Sequence, residues 1–243
     1  MDLSLRILLT CAIAIVLGII LGNSAVYVFN RIPGKWLTDY DEEPSEELLH
    51  PTVQRVKSVP YKYAFTGLFI AAGIITGIKD PLTALPFLAA LWLLLLMSIA
   101  DIKYMVVPDQ LMILLILTGL GFLPSRMAVY HRHAFYDSLL GMASGLVIML
   151  AIALFSRAIY KKWALGGADV KLLTVTGFLT GFYGVLIVFV LSTFMSALHF
   201  AFLVITKRAE LKETRPLIPY ISLAFAIYFI FIRAHIADFM ITL

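Results

Sequence analysis

Two aspartates, Asp101 and Asp169, stand where an acid is costly. Asp101 closes the apolar run "PLTALPFLAALWLLLLMSIA", residues 81–100, and Asp169 opens the run that begins within "LGGADVKLL", residues 165–173. A carboxylate at the mouth of a membrane-type segment asks for a reason. Two carboxylates that share a site cannot both ionise cheaply, so one keeps its proton. The charged partner can take a proton from a water held between them, while the neutral partner polarises a carbonyl. Water then attacks and a tetrahedral diol forms. This is the chemistry of aspartyl proteases, which needs neither a metal nor a covalent intermediate. Gly166, Gly167 and Ala168 precede Asp169, and small residues there let a backbone approach closely.

A plainer reading stands beside this one. Aspartate is favoured at helix starts, so Asp169 can be a cap. Asp101 can belong to an interfacial charge pair with Lys103, although residues two apart on a helix do not face each other. Asp109 and Asp137 each fall at the start of an apolar run and read as caps. The acidic stretch Asp39, Asp41, Glu42, Glu43, Glu46 and Glu47 reads as a solvated loop and lacks the spacing of a calcium loop. His131 and His133 read as surface residues rather than ligands. Spacing alone leaves the paired-acid and capping readings both open.

The elements that must position the two acids are transmembrane helices. The chain has 243 residues, 61% of them hydrophobic, only 14% charged, and a mean hydropathy of +0.95. Soluble domains are about one-quarter charged, so the composition implies a single integral membrane domain, residues 1–243, all α-helical. The net charge of +4 is read as the basic character of cytoplasmic loops rather than as a nucleic-acid surface. Cys11 is the sole cysteine. It excludes an internal disulfide and a multi-cysteine zinc site.

Residues 7–30 carry no charge and are too long for the core of a signal peptide, which runs about 7–15 residues, so they predict a retained first helix. A polar loop over 31–62 follows. Further spans are expected over 63–78, 81–100, 110–123 and 138–156, with "PSRMAVYHRHAFYD" as the loop between the last two. Residues 172–206 contain no Asp, Glu, Lys or Arg. One helix of that length would reach about 52 Å against a hydrocarbon core of about 30 Å. Two spans hinged at "TGFYG", residues 180–184, fit better. A last span over 217–239 brings the count to eight.

With the N-terminus outside, 14 of the 19 Lys and Arg fall on inner segments and 5 (Arg6, Lys79, Arg126, Arg132 and Arg233) on outer ones. That asymmetry follows the positive-inside rule. The third span then ends inside at Asp101 and the sixth begins inside at Asp169. Both acids are expected at one depth, on one side of the membrane.

"ADIKYMVVPDQL", residues 100–111, and "GGADVKLL", residues 166–173, resemble the two signatures of the prepilin peptidases, the type IV leader peptidases. Asp101, Pro108 and Asp109 match the first. Gly166, Asp169 and Lys171 match the second, in which Ala168 replaces a frequent glycine. "RPLIPYISLA", residues 215–224, also resembles a family segment before the last helix. The resemblance implies a multi-pass protein of the bacterial inner membrane, with Asp101 and Asp169 catalytic and facing the cytoplasm. It implies a peptidase core over 81–239. The substrates would be type IV prepilins or pseudopilins, beside membrane lipid and without nucleic acid.

"LGNSAVYVFNRIP", residues 21–33, resembles the bifunctional branch of the family. Residues 31–62 would then be a reduced methyltransferase-like region on the cytoplasmic side. S-adenosylmethionine is the cofactor that N-methylation would need, whereas the peptidase would need none. The zinc-binding Cys-x-x-Cys pairs of many members are missing, and His50 is the one histidine of the loop. Two rivals remain. A presenilin-like intramembrane protease shares the Gly-x-Gly-Asp element but not the proline-bearing first motif. A proton- or ion-coupled transporter should show paired broken helices, and one glycine-interrupted hairpin is evident.

Overall fold

In the computed structural model the described residues are 3–39, 42–49, 54–130, 133–161, 166–208, 210 and 215–236. Among them there are helices and no strand. The elements are α1 (Leu3–Phe29), a 3-10 turn (Gly34–Leu37), α2 (Glu46–Leu49), α3 (Tyr61–Lys79), α4 (Pro81–Tyr104), α5 (Asp109–Tyr130), α6 (Ala134–Tyr160), α7 (Gly167–Ile205) and α8 (Ile218–Ile227). A π-helical turn, Tyr228–Ile232, carries α8 onward to Ile236. Among the described residues, seven helical runs are long and apolar enough to cross a membrane. The chain is a polytopic, all-α membrane protein.

It divides into two compact units. One comprises Met1–Leu96 with Val106–Ser125, the other Met97–Met105 with Arg126–Leu243. In the first unit α1 and α3 lie antiparallel. Gly22 faces the Thr66 backbone and Gly73 faces Ala14, so small residues set the helix spacing, as is common where lipid supplies no hydrophobic drive. The segment after α1 is folded rather than merely solvated. The Asn30 side chain donates to the Val56 carbonyl at 2.9 Å and accepts the Val56 N–H at 2.8 Å. Arg55 is buried and donates to the carbonyls of Ile32 and Leu48. Ile32, Leu37, Leu48 and Val56 are buried around it.

In the second unit α6 and the first half of α7 cross through glycine. A Cβ on Gly177 would collide with the Gly141 backbone, and one on Gly145 with the Leu173 carbonyl. The longest run, α7, has 39 residues and is interrupted at Gly181, whose φ of 80° and ψ of −176° are not helical. The chain folds back there. Gly141 meets Gly177 and Gly145 meets Leu173, yet Met149 and Ile152 share a cavity wall with Phe189, Thr193 and Ser196. Both halves of α7 therefore run alongside α6, as the expected hinge at 180–184 requires. With α7 counted as two passes there are eight.

Two expectations are corrected. "PSRMAVYHRHAFYD" is not a loop. α5 continues through Pro124 to Tyr130 and α6 starts at Ala134, while His131 and Arg132 lie outside the described residues. Arg126 stays inside because it forms an ion pair with Asp137 and donates to Ser138 and, at 3.2 Å, to the Phe178 carbonyl. A cation so partnered need not sit in a loop. Asp137 does not cap its own helix. Its Oδ1 accepts the Phe182 N–H at 3.1 Å, the amide that the break at Gly181 leaves without an intrahelical acceptor. The Tyr228 hydroxyl donates to the carbonyl of Thr180 on the other side of the break, at 3.4 Å. Within lipid such groups must find partners, and here they do.

Candidate active site

Asp101 and Asp169 belong to the same compact unit. Asp101 sits in the last turn of α4, which ends where Met105 turns to a φ of 55°. Asp169 is the third residue of α7. The two carboxylates lie within coulombic reach of each other, although they come from helices far apart in the chain.

Each carboxylate is held by a backbone amide. The Gly166 N–H donates to Asp169 Oδ2 at 3.3 Å, so Asp169 does cap its own helix, reaching back from the third position. That bond engages one oxygen and leaves the other. Asp101 is 6% exposed, and its Oδ2 accepts the Ile218 N–H at 3.1 Å. Ile218 is the first residue of α8. Pro219 has no N–H, and the amides of Tyr220 and Ile221 donate to the Leu217 carbonyl. In the first turn of α8, Ile218 is thus the residue whose amide looks outward, and Asp101 caps a helix other than its own.

The Ile218 contact was not foreseen as a site feature. Its trace in the sequence is the segment 215–224 itself, whose proline placement thins the amides of the helix start. Nothing local to Asp101 points to it, because the partners are 117 residues apart.

Gly166 and Gly167 are not demanded by packing among the described residues. Gly166 has ordinary dihedrals. A Cβ on it would meet Asp169 Oδ2 at 3.4 Å, and one on Gly167 would meet nothing within 4 Å. The space over Gly167 is open. Ala168 is half-buried and Lys171 exposed. Pro108 and Asp109 belong to the other compact unit, where the Pro108 carbonyl accepts the Leu111 and Met112 amides and Asp109 lies in the first turn of α5.

Residues 88–201 match the type IV leader peptidase family. The matched segment is just under half of the chain. It spans both aspartates, both signature elements and the hinge of α7. The chain is also similar to the prepilin leader peptidase/N-methyltransferase of Bacillus subtilis (strain 168), with 31% identity over 155 residues, covering 64% of this chain and 58% of that relative. The chain thus spans under two-thirds of the length of the curated relative it matches. No solved structure matches it. The matched segment ends before α8, so the amide that holds Asp101 comes from outside it.

Proposed function

We propose that this protein is a membrane aspartyl endopeptidase that removes the leader from type IV prepilins or pseudopilins, at the cytoplasmic face of a bacterial inner membrane. The observation that carries this is that Asp101 and Asp169 lie within coulombic reach of each other inside a segment that matches the leader peptidase family. The B. subtilis relative bears the name of that activity. The excess of Lys and Arg on one set of segments supports the cytoplasmic placement.

The reaction follows from two carboxyls that share one proton. The ionised carboxylate takes a proton from water, and the resulting hydroxide equivalent attacks the scissile carbonyl carbon. The protonated partner gives its proton to the carbonyl oxygen, and a tetrahedral diol results. When the diol collapses, the C–N bond breaks. The leaving amine takes the proton that the first carboxyl gained, and one diol hydroxyl returns its proton to the second carboxyl. The backbone amides of Gly166 and Ile218 hold each acid in place while the proton moves. The open space over Gly167 is where an extended substrate backbone would pass. A basic leader would lie at the cytoplasmic ends of α4 and α7, and the apolar helix behind it would stay in lipid.

Methylation of the new N-terminus enters through the name of the relative and the "NRIP" junction, and would use S-adenosylmethionine. Among the described residues of this segment, Asn30 and Arg55 direct hydrogen bonds to its own backbone. The test is incubation of the detergent-solubilised protein with a prepilin. A product shortened by the leader supports the proposal, and an intact prepilin refutes it. The rival transport reading predicts no product.

A further inference from the structure

His199 is the one histidine in the run 172–206, which holds no Asp, Glu, Lys or Arg. An ionisable group inside a membrane segment needs a partner and a purpose. Its partner is Tyr220: His199 Nδ1 and the Tyr220 hydroxyl are hydrogen-bonded, with ring centroids 5.9 Å apart. Tyr220 lies two residues beyond Ile218, in the same first turn of α8.

That turn is held from two other directions. Ser98, three residues before Asp101 on α4, donates its hydroxyl to Ser222 Oγ at 2.9 Å. Ser222 in turn donates to the Ile218 carbonyl at 2.9 Å. Ile218 itself gives its amide to Asp101 and is fully buried. One turn of helix therefore joins α4 through Asp101 and Ser98, and the second half of α7 through His199.

We propose that His199 and Tyr220 form a latch that fixes the first turn of α8 and, through the Ile218 amide, aims the carboxylate of Asp101 for peptide cleavage. Both are positioning residues and neither touches the scissile bond. The inference rests on the peptidase reading above. Its physical basis is that a displacement of about 1 Å at a reacting group can cost about a hundredfold in rate. Only the hydroxyl of Tyr220 and the ring nitrogen of His199 are needed, since the aromatic body of Tyr220 remains in Tyr220→Phe.

Two measurements test this. The first is amide hydrogen exchange over residues 217–222 in the full-length, detergent-solubilised protein, which needs no substrate. Tyr220→Phe and His199→Leu should each speed exchange at Ile218, whereas His199→Asn should not, because its amide falls where Nδ1 lies. The second is prepilin cleavage. Tyr220→Phe and His199→Leu should lower kcat about tenfold or more and leave KM within about twofold. The double variant should be no worse than either single one, and His199→Asn should restore most of the rate.

Unchanged exchange in Tyr220→Phe overturns the latch, whatever the wild type cleaves. Faster exchange with wild-type kcat overturns its role in aiming Asp101. A rise in KM at constant kcat does the same. Faster exchange in a wild-type background that cleaves no prepilin leaves the latch standing and counts against the peptidase reading instead.

Discussion

At the scale of single residues, Asp101 and Asp169 each satisfy a helix amide, and the proposed reaction would have them handle a proton as well. If they act as one unit, Asp101→Ala and Asp169→Ala should each abolish cleavage, and the double variant should be no worse, because groups that act together are not additive. Gel separation of prepilin from product reads this, and a single variant with wild-type cleavage removes the dyad. The loop before Asp169 gives a second prediction. A methyl at Gly167 meets nothing within 4 Å among the described residues, so Gly167→Ala should leave the melting temperature in detergent unchanged. Ala168→Gly should be tolerated in cleavage, whereas Ala168→Leu should reduce it by crowding the approach to Asp169. A harmless leucine would remove the close-approach argument for this loop.

At the scale of elements, the fold-back of α7 depends on one glycine and one ion pair. Gly181 adopts dihedrals that are essentially restricted to glycine, and a Cβ there would collide with Asp137 and Arg126. Gly181→Ala should cost at least about 1–3 kcal/mol from backbone strain, seen as a lower melting temperature in detergent. Arg126→Ala should be as harmful or worse. It strands Asp137 without its cation, and breaking a buried pair costs about 3–5 kcal/mol. Asp137 is one-quarter exposed, so the lower end of that range applies. Wild-type melting in both variants would mean that the hinge is held by packing alone. The hinge region itself was readable, because 35 residues without Asp, Glu, Lys or Arg are too many for one crossing and glycines mark the turn. The ion pair was not. Arg126 reads as a loop charge until its partner, 11 residues on, is brought beside it.

At the scale of the whole molecule, orientation and chemistry can be tested together. Single cysteines placed in 31–62 should be shielded from an impermeant thiol reagent added outside intact cells, in a Cys11→Ser background, while a cysteine at Lys79 should be labelled. The reverse pattern would put the acids on the wrong face for a cytoplasmic leader. Cleavage should persist in chelator and without S-adenosylmethionine, since a carboxylate pair requires neither. Loss of cleavage on chelation would overturn the metal-free reaction.

The sequence by itself determined the membrane class, the approximate spans and the break in the longest run, and it put forward the two acids as candidates. These depend on local composition and on helix length against bilayer thickness, and such signals survive in a linear chain. The tertiary structure decided what the acids touch. The Ile218 amide reaches Asp101 across 117 residues, His199 meets Tyr220 across 21, and the Phe182 amide finds Asp137 across 45. Each contact satisfies a polar group that lipid cannot satisfy. Which group satisfies which depends on how helices pack, and pattern along one helix carries no record of its neighbours.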